Sequence, residues 1–314
     1  MFFSVVMPVY NKAPHVLRAI ESVLNQTFDD LELILVDDAS TDGSAEIIAA
    51  INDPRVSVYR RSEPGVGGYQ ARNLGIENSA SDWIAFLDAD DEWRPDHLER
   101  MQQLAKRHPE ASILACGWEI AENGVSVPNP FYGRYSNSEM SIDCRTYLRV
   151  HADGMDVANT NVVVARKSAL QCIGGFPLPS KHCKRAGDGQ TWLRVMLSGA
   201  KMAWSPHIGA VYHQDAVNMV TRKQIYTVDE NGLITYIRSH LEDVADRETR
   251  SLLMKYMNKR ILSILFQLAR AESVQRGDVE EALRAFCWDP RMLFIISGFF
   301  APRTTRLLLN KLAS

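Results

Sequence analysis

The sequence predicts an α/β fold, a mostly parallel sheet flanked by helices, followed by a helical C-terminal extension. Three observations carry this. Apolar runs of strand length alternate with segments of helical period through the first 120 residues. The strand-like runs are apolar nearly throughout, as suits strands covered on both faces. Two of them, Leu31 to Val36 and Trp83 to Leu87, run directly into carboxylates, which places acids at the carboxyl edge of the sheet, where open α/β sheets bind ligands.

Phe2 to Val9 is the first strand, closed by Pro8, Tyr10 and Asn11. Pro14 then stands near the start of a helix whose apolar positions Val16, Leu17, Ile20, Val23 and Leu24 follow the 3.6 period. Leu31 to Val36 is the second strand and ends in Asp37 and Asp38; Ser40 to Gly43 cap a helix that runs through Ile51. A short third strand spans Arg55 to Arg60, and the glycines at 65, 67 and 68 open a helix carrying Ala71, Leu74 and Ile76. They do not form a dinucleotide fingerprint, because Gln70 stands where that spacing needs glycine. They read as a flexible turn or as backbone approaching a phosphate. The acidic strand from Trp83 follows, then a helix from Pro95 to His108 and a strand from Ser112 to Ile120.

Beyond Ala121 the regularity lapses. Phe131, Tyr132 and Tyr135 lie in a Pro-, Gly-, Asn- and Ser-rich stretch and either pave a sugar- or lipid-binding surface or pin the loop down. Thr160 to Ala165 reads as a strand, Gly174 to Phe176 as a turn, Asp188 to Leu197 as a helix, and Ala200 to Trp204 and Ala210 to Tyr212 as short strands, with His213 just past the last. Lys181, His182, Cys183, Lys184 and Arg185 read as a basic mobile loop over the site. From Lys223 the pattern is helical, with an apolar stripe of Ile261, Leu262, Ile264, Leu265, Leu268 and Ala269. At the end, Met292 to Phe300 precede Arg303, Arg306 and Lys311, which suits either an interfacial membrane element or a buried terminal helix.

Composition narrows the function. The 314 residues are 46% hydrophobic and 23% charged with a formal charge of −3, ordinary for a globular protein and without the basic excess that nucleic acid binding needs. Five cysteines, odd in number and without CxxC spacing, indicate neither a disulfide framework nor a zinc site and fit a reduced, cytoplasmic compartment. The opening MFFSVVMPVY has no cationic leader and reads as a strand, not a signal peptide. Asp88, Asp90, Asp91 and Glu92 form a dense set of hard oxygen ligands. Such a set repels itself unless a cation sits among it, and Mg²⁺ or Mn²⁺ is the usual guest; the alternative is a solvated acidic loop.

These residues resemble the family 2 glycosyltransferases with the GT-A fold. The stretches VVMPVYNKAPHVLRAIESVLNQTFDDLELILVDDASTDGS and GGYQARNLGIENSASDWIAFLDADDEWRPDHL carry the likeness, which covers about the first 215 residues. The resemblance implies a GT-A domain over 1–220, with a nucleotide-binding half at 1–120 and an acceptor half at 121–220; the residue pattern beyond it reads as a helical region over 221–314 that could associate with membrane. It implies an inverting, metal-dependent transfer of a sugar from a nucleotide diphosphate sugar, most naturally a UDP-sugar, to a saccharide or lipid-linked saccharide in cell-surface polysaccharide synthesis.

Position by position, the resemblance sets the donor base against Pro8, Val9 and Tyr10, with Asp38 accepting a hydrogen bond from it. Arg72 falls near the diphosphate, Asp88 near the ribose or sugar, and Asp90 on a divalent metal, Mn²⁺ or Mg²⁺. Asp188 matches the base of the acceptor side, although Gly187 replaces the Glu that usually precedes it; by itself an acid there is also a plain helix cap. His213 matches a histidine that reaches toward metal and diphosphate, and otherwise reads as structural. Trp93 either stacks on the acceptor sugar or walls the cleft. The enzyme reading places the protein in the cytoplasm, with the tail free to lie on the inner face of the membrane. Nucleotidyl transfer is disfavoured because MPVYNKAP lacks the Gly-rich basic signature it needs. A degenerate sugar-nucleotide-binding scaffold is the remaining alternative, resting on Gly187 alone.

Overall fold

A computed structural model gives the fold and describes residues 1–178, 180–217, 226–270 and 282. Strands β1 (Phe3–Val9), β2 (Leu31–Asp37), β3 (Val56–Arg60) and β4 (Trp83–Phe86) alternate with helices α1 (Val16–Leu24), α2 (Ser44–Ala49) and α3 (Tyr69–Asn78). They form a parallel array in the order β3-β2-β1-β4, with Phe3 opposite Leu31 and Ser4 opposite Ile84. This is the parallel array expected from the continuous apolar runs. Side chains leave β1 alternately for the two faces: Val5 and Met7 join a core with α1, Val6 joins another with α3.

The sheet continues through β5 (Glu92–Trp93), β6 (Ala111–Glu122), β9 (Val164–Arg166) and β10 (Lys201–His213), with α4 (His97–Arg107) ahead of β6. Strand β9 lies antiparallel between β4 and β6, β10 runs parallel to β6, and β5 closes the edge. The Thr160 to Ala165 strand is shorter than expected. Thr160–Val162 is a 3₁₀ turn, because the Asn159 side chain caps the Asn161 N–H at 3.0 Å, and β9 starts only at Val164. The two short strands expected after Ala200 are one, β10. Its register slips between Ser205 and Ala210, where Pro206 has no N–H to give and Gly209 interrupts the apolar run.

The irregular stretch after Ala121 is built. Asn123 and Gly124, at φ 52° and 79°, turn β6 into β7 (Val125–Pro128); α5 (Pro130–Tyr135), β8 (Met140–Ile142) and α6 (Cys144–Ala152) follow. Phe131 is buried edge-on against Trp204, with ring centroids 5.1 Å apart, so of the two readings of these aromatics the structure shows the pinning one. Helices α7 (Lys167–Cys172) and α8 (Gly187–Leu197) precede β10; α9 (Gly232–His240) and α10 (Arg247–Arg270) follow it. Tyr256, Met257, Ile261 and Leu265 of α10 share a core with Leu148 of α6 and Trp192 of α8, which is where the apolar stripe goes. Among the described residues no helix is long and apolar enough to cross a membrane. The Met292 to Lys311 segment lies outside the described residues.

Candidate active site

The carboxyl ends of β1, β2 and β4 open into a cleft of about 720 Å³ that α8 and α10 wall on the other side. Pro8, Tyr10, Asp38, Arg72, Asp88, Asp90 and Asp188 all line it. Val9 does not; it is fully buried and contributes its carbonyl oxygen, which accepts from the Asp38 N–H at 2.8 Å.

Asp38 follows β2 directly and is followed by Ala39 at φ 61°, a left-handed conformation that is unfavourable for alanine and turns the chain back over the strand tips. Its buried carboxylate accepts from the Gly65 N–H at 2.9 Å and pairs with Arg61. Asp38 therefore holds the glycine turn in place over the cleft. Gly67 and Gly68 take φ values of 61° and 69°, which glycine reaches without a Cβ penalty. A Cβ on Gly68 would stand 3.4 Å from Pro8, so glycine also lets the turn press on the β1 tip.

The four acids after β4, a single cluster in the sequence, separate in space. Asp88 faces the cleft and pairs with Arg72, whose Nη1 also donates to the Gly67 carbonyl at 2.8 Å. Burial pushes the Asp88 carboxyl above the ordinary range; Arg72 opposes that, and Asp90 and Asp188 add to it. Asp90 faces the same cleft and pairs with Lys12 Nζ at 2.5 Å. Asp91 is fully buried and structural. It accepts from the His213 N–H at 2.7 Å and from the Asn161 amide, tying β10 and the 3₁₀ turn to the acidic loop. Glu92 faces His213, with Oε1 3.2 Å from Nε2, and lies 3.8 Å from Arg18.

One expectation is corrected here. Trp93 is 4% exposed, its indole N–H donates to the Asn161 carbonyl at 2.6 Å, and its ring packs on His97, so it belongs to the core and meets no acceptor. His213 turns its ring to Glu92 and is not among the residues that line the cleft. Sequence reasoning missed Lys12 and Arg61, which supply cations to Asp90 and Asp38 from separate parts of the chain.

Asp188 stands in the first turn of α8, half-buried, with Oδ2 3.4 Å from Thr160 Oγ1. It is not the cap. Ala186 holds that position at φ 59°, a strained residue adjoining the cleft. Gly187 is required by its neighbour: a Cβ there would lie 2.6 Å from Tyr69 Cζ and 2.7 Å from Pro177 Cγ. The Tyr69 ring fills that space, stacks on Phe176, and accepts the Gly187 N–H on its hydroxyl at 2.9 Å. A Cβ on Gly67 would stand 2.5 Å from the same ring. Tyr69 therefore joins the glycine turn to the start of α8, and burial, then the Asp188 charge, push its phenol well up. In the basic segment ahead of α8, Lys184 pairs with Glu230 at 2.5 Å and Arg185 lies over Tyr226 at 5.5 Å, which anchors it at the rim.

Asp88 and Asp90 are the cleft carboxylates that could hold a divalent cation; here Arg72 and Lys12 pair with them. His97, Cys116 and His207 also come together, but inside the core. Cys116 Sγ is 3.8 Å from His97 Nδ1 and His207 Nδ1 is 3.0 Å from Ser205 Oγ, which reads as a hydrogen-bonded polar cluster in the packing.

The profile of the family described as glycosyl transferase family 2 matches residues 4–155. The succinoglycan biosynthesis protein ExoO of Rhizobium meliloti (strain 1021) is 42% identical over 316 aligned positions, spanning 96% of this chain and 86% of that protein. The glycosyltransferase GlyG of Streptococcus pneumoniae serotype 4 is 39% identical over 102 positions, 32% of this chain and 34% of its own length. Among solved structures, S. aureus TarS 1-349 in complex with UDP-GlcNAc superposes with a TM-score of 0.74 at 18% identity, over 91% of this chain and 79% of that one. The mannosyltransferase PcManGT of Pyrobaculum calidifontis, in complex with GDP-Man and Mn²⁺, gives 0.57 at 17% identity over 98% and 82%. The chain belongs to glycosyl transferase family 2. It is a glycosyltransferase with the GT-A fold.

Proposed function

We propose that the cleft transfers a sugar, with inversion, from a nucleotide diphosphate sugar to a saccharide hydroxyl, free or lipid-linked, in the synthesis of a cell-surface polysaccharide. One observation carries the reading: a single cleft sets Asp88, Asp90 and Lys12 at the strand tips, with Arg72 of α3 beside Asp88, against Asp188 on the wall formed by α8. Charge for a diphosphate stands on one side and a carboxylate able to accept a proton on the other.

In this reading Pro8, Tyr10 and the backbone at Val9 receive the base, and the Asp38 carboxylate, held from behind by Arg61, reads its edge. Uracil suits Asp38, which accepts from an N–H, and a UDP-sugar is the donor we assign; the UDP-GlcNAc in TarS supports it. Asp188 takes the proton of the acceptor hydroxyl as its oxygen attacks the anomeric carbon. The bond from that carbon to the diphosphate oxygen breaks, and the diphosphate leaves with the electron pair. Arg72 and Lys12 lie where the leaving charge grows. Mg²⁺ or Mn²⁺ held by Asp90 and Asp88 would neutralise the same charge, as the Mn²⁺ in PcManGT supports. His213 serves this site as a buttress of Glu92. The name of the relative ExoO supports a polysaccharide product.

The test is Asp188→Asn, which keeps the shape of the side chain and removes its basicity. Transfer is expected to fall at least a thousandfold while the Kd for UDP stays within threefold. Turnover near that of the unsubstituted protein would remove Asp188 as the base.

A further inference from the structure

Past Asp188 the cleft continues into a recess between α6 and α10 for which donor chemistry has no use. We propose that this recess seats an uncharged saccharide acceptor, read through the Asp156–Arg260 pair; this rests on the transfer reading above and names the chemistry of its second substrate. Tyr147 and His151 come from α6, Asp156 from the chain just after it, and Tyr256 and Arg260 from α10. The part from α10 lies beyond the residues that the family profile matches.

The His151 ring packs on Tyr147 and Tyr256, with centroids 4.3 and 4.7 Å away. Asp156 Oδ1 receives Arg260 Nη2 at 2.5 Å and faces His151 Nδ1 at 3.2 Å. Two features point to a ligand of one chemical kind. His151 is 5% exposed and lines the recess with its ring.

The ion pair itself is half open, with 47% of the Asp156 side chain and 35% of Arg260 exposed. Carboxylate oxygens that accept stand beside guanidinium N–H groups that donate, which matches two adjacent sugar hydroxyls, each able to give one hydrogen bond and take another. Charge decides against an acidic ligand. Arg260 is cancelled by Asp156, which His151 and Arg260 hold well below the usual carboxylate range against the effect of burial; His151 is kept neutral, chiefly by burial. Among the described residues of this cluster Arg260 is the one cation, and Asp156 pairs with it, which leaves no free charge there for a phosphate or a uronate. Asp188 lines the same cleft, so a sugar seated here is within the cavity that holds the base. Ser263 and Gln267 continue the same face of α10 and give a second sugar unit polar contacts.

The test follows UDP release by the full chain with Mn²⁺ and UDP-glucose, UDP-galactose or UDP-N-acetylglucosamine. Release is measured alone and with cellobiose or lactose, and cellobiouronic acid serves as the charged control. A neutral disaccharide is expected to stimulate release and to be glycosylated in preference to the acid. Arg260→Ala and Asp156→Asn should raise its KM at least tenfold while acceptor-free UDP release and the donor KM stay within twofold. Gln267→Ala, at an exposed position where folding is not at stake, should raise it severalfold, and Arg260→Lys should recover part of the loss. Unchanged acceptor KM in these variants, preference for the uronic acid, or acceptor-free release that neither neutral disaccharide stimulates would overturn the assignment. Failure of the unsubstituted protein both to bind and to release UDP would instead overturn the transfer reading beneath it.

Discussion

Gly187→Ala tests the coupling between the donor-side turn and the helix that carries Asp188. Alanine is better than glycine in a helix by up to about 1 kcal/mol, so on propensity alone the change stabilises. The structure reverses the sign. The new methyl would sit 2.6 Å from Tyr69 Cζ and 2.7 Å from Pro177 Cγ, and neither can swing away: the Tyr69 ring is buried and stacked on Phe176, and Pro177 is a closed ring. Overpacking of this kind costs about 1–3 kcal/mol, and displacing the Tyr69 ring also weakens the Gly187 N–H bond to its hydroxyl, worth about 1 kcal/mol. Set against the propensity gain, a net loss of about 1–3 kcal/mol remains. That lowers Tm by roughly 2–6 °C at about 2 °C per kcal/mol for a chain of this size. A double-mutant cycle by thermal and urea unfolding isolates the cause. In a Tyr69→Ala background the Gly187→Ala change should become neutral or stabilising, giving a coupling of at least about 1 kcal/mol. A Gly187→Ala protein as stable as the parent, or additive effects in the cycle, would refute the interlock.

Other outcomes follow from the same coordinates. Trp93→Phe should lower Tm, through the lost bond to the Asn161 carbonyl and the lost ring volume, and leave donor and acceptor KM unchanged; a selective rise in acceptor KM would return Trp93 to the cleft. Stability should also fall in mild acid. Burial, then Arg100, pushes the buried His207 down to about 4, and burial pushes His97 in the same direction. The unfolded chain takes up a proton near pH 6.5 and the folded chain does not until about 4. The contribution of His207 is thus complete above about pH 6.5 and is lost as pH falls toward 4, by ~3 kcal/mol. His207→Gln should flatten the dependence of Tm on pH between 7 and 5; an unaltered slope would contradict the assignment.

What was legible in the sequence was local. Continuous apolar runs ending in Asp38 and Asp88 define strands buried on both faces whose tips carry acids, and the structure places those acids at the carboxyl edge of a parallel sheet. What was not legible depends on direction. Asp88, Asp90, Asp91 and Glu92 are equivalent as letters, but the turn after β4 sends two into the cleft, buries the third against Asn161, and gives the fourth to His213. Lys12 and Arg61 come to their carboxylates from 78 and 23 positions away, and nothing at either position marks them in advance. Asn123-Gly124 is different, since that dipeptide between two β-type runs is a hairpin signal that could have been read. Gly187 looked like a loss of chemistry and is, in the fold, the space into which Tyr69 packs.

The most direct test of the transfer reading is calorimetric titration of the purified chain with UDP, GDP, TDP and CMP, each with and without Mn²⁺. UDP is expected to bind in preference to the others, more tightly with Mn²⁺, and to lose both the preference in Asp38→Asn and the metal dependence in Asp90→Ala. Binding of none of the four, or binding indifferent to both substitutions, would contradict the placement of a nucleotide-sugar donor at these strand tips.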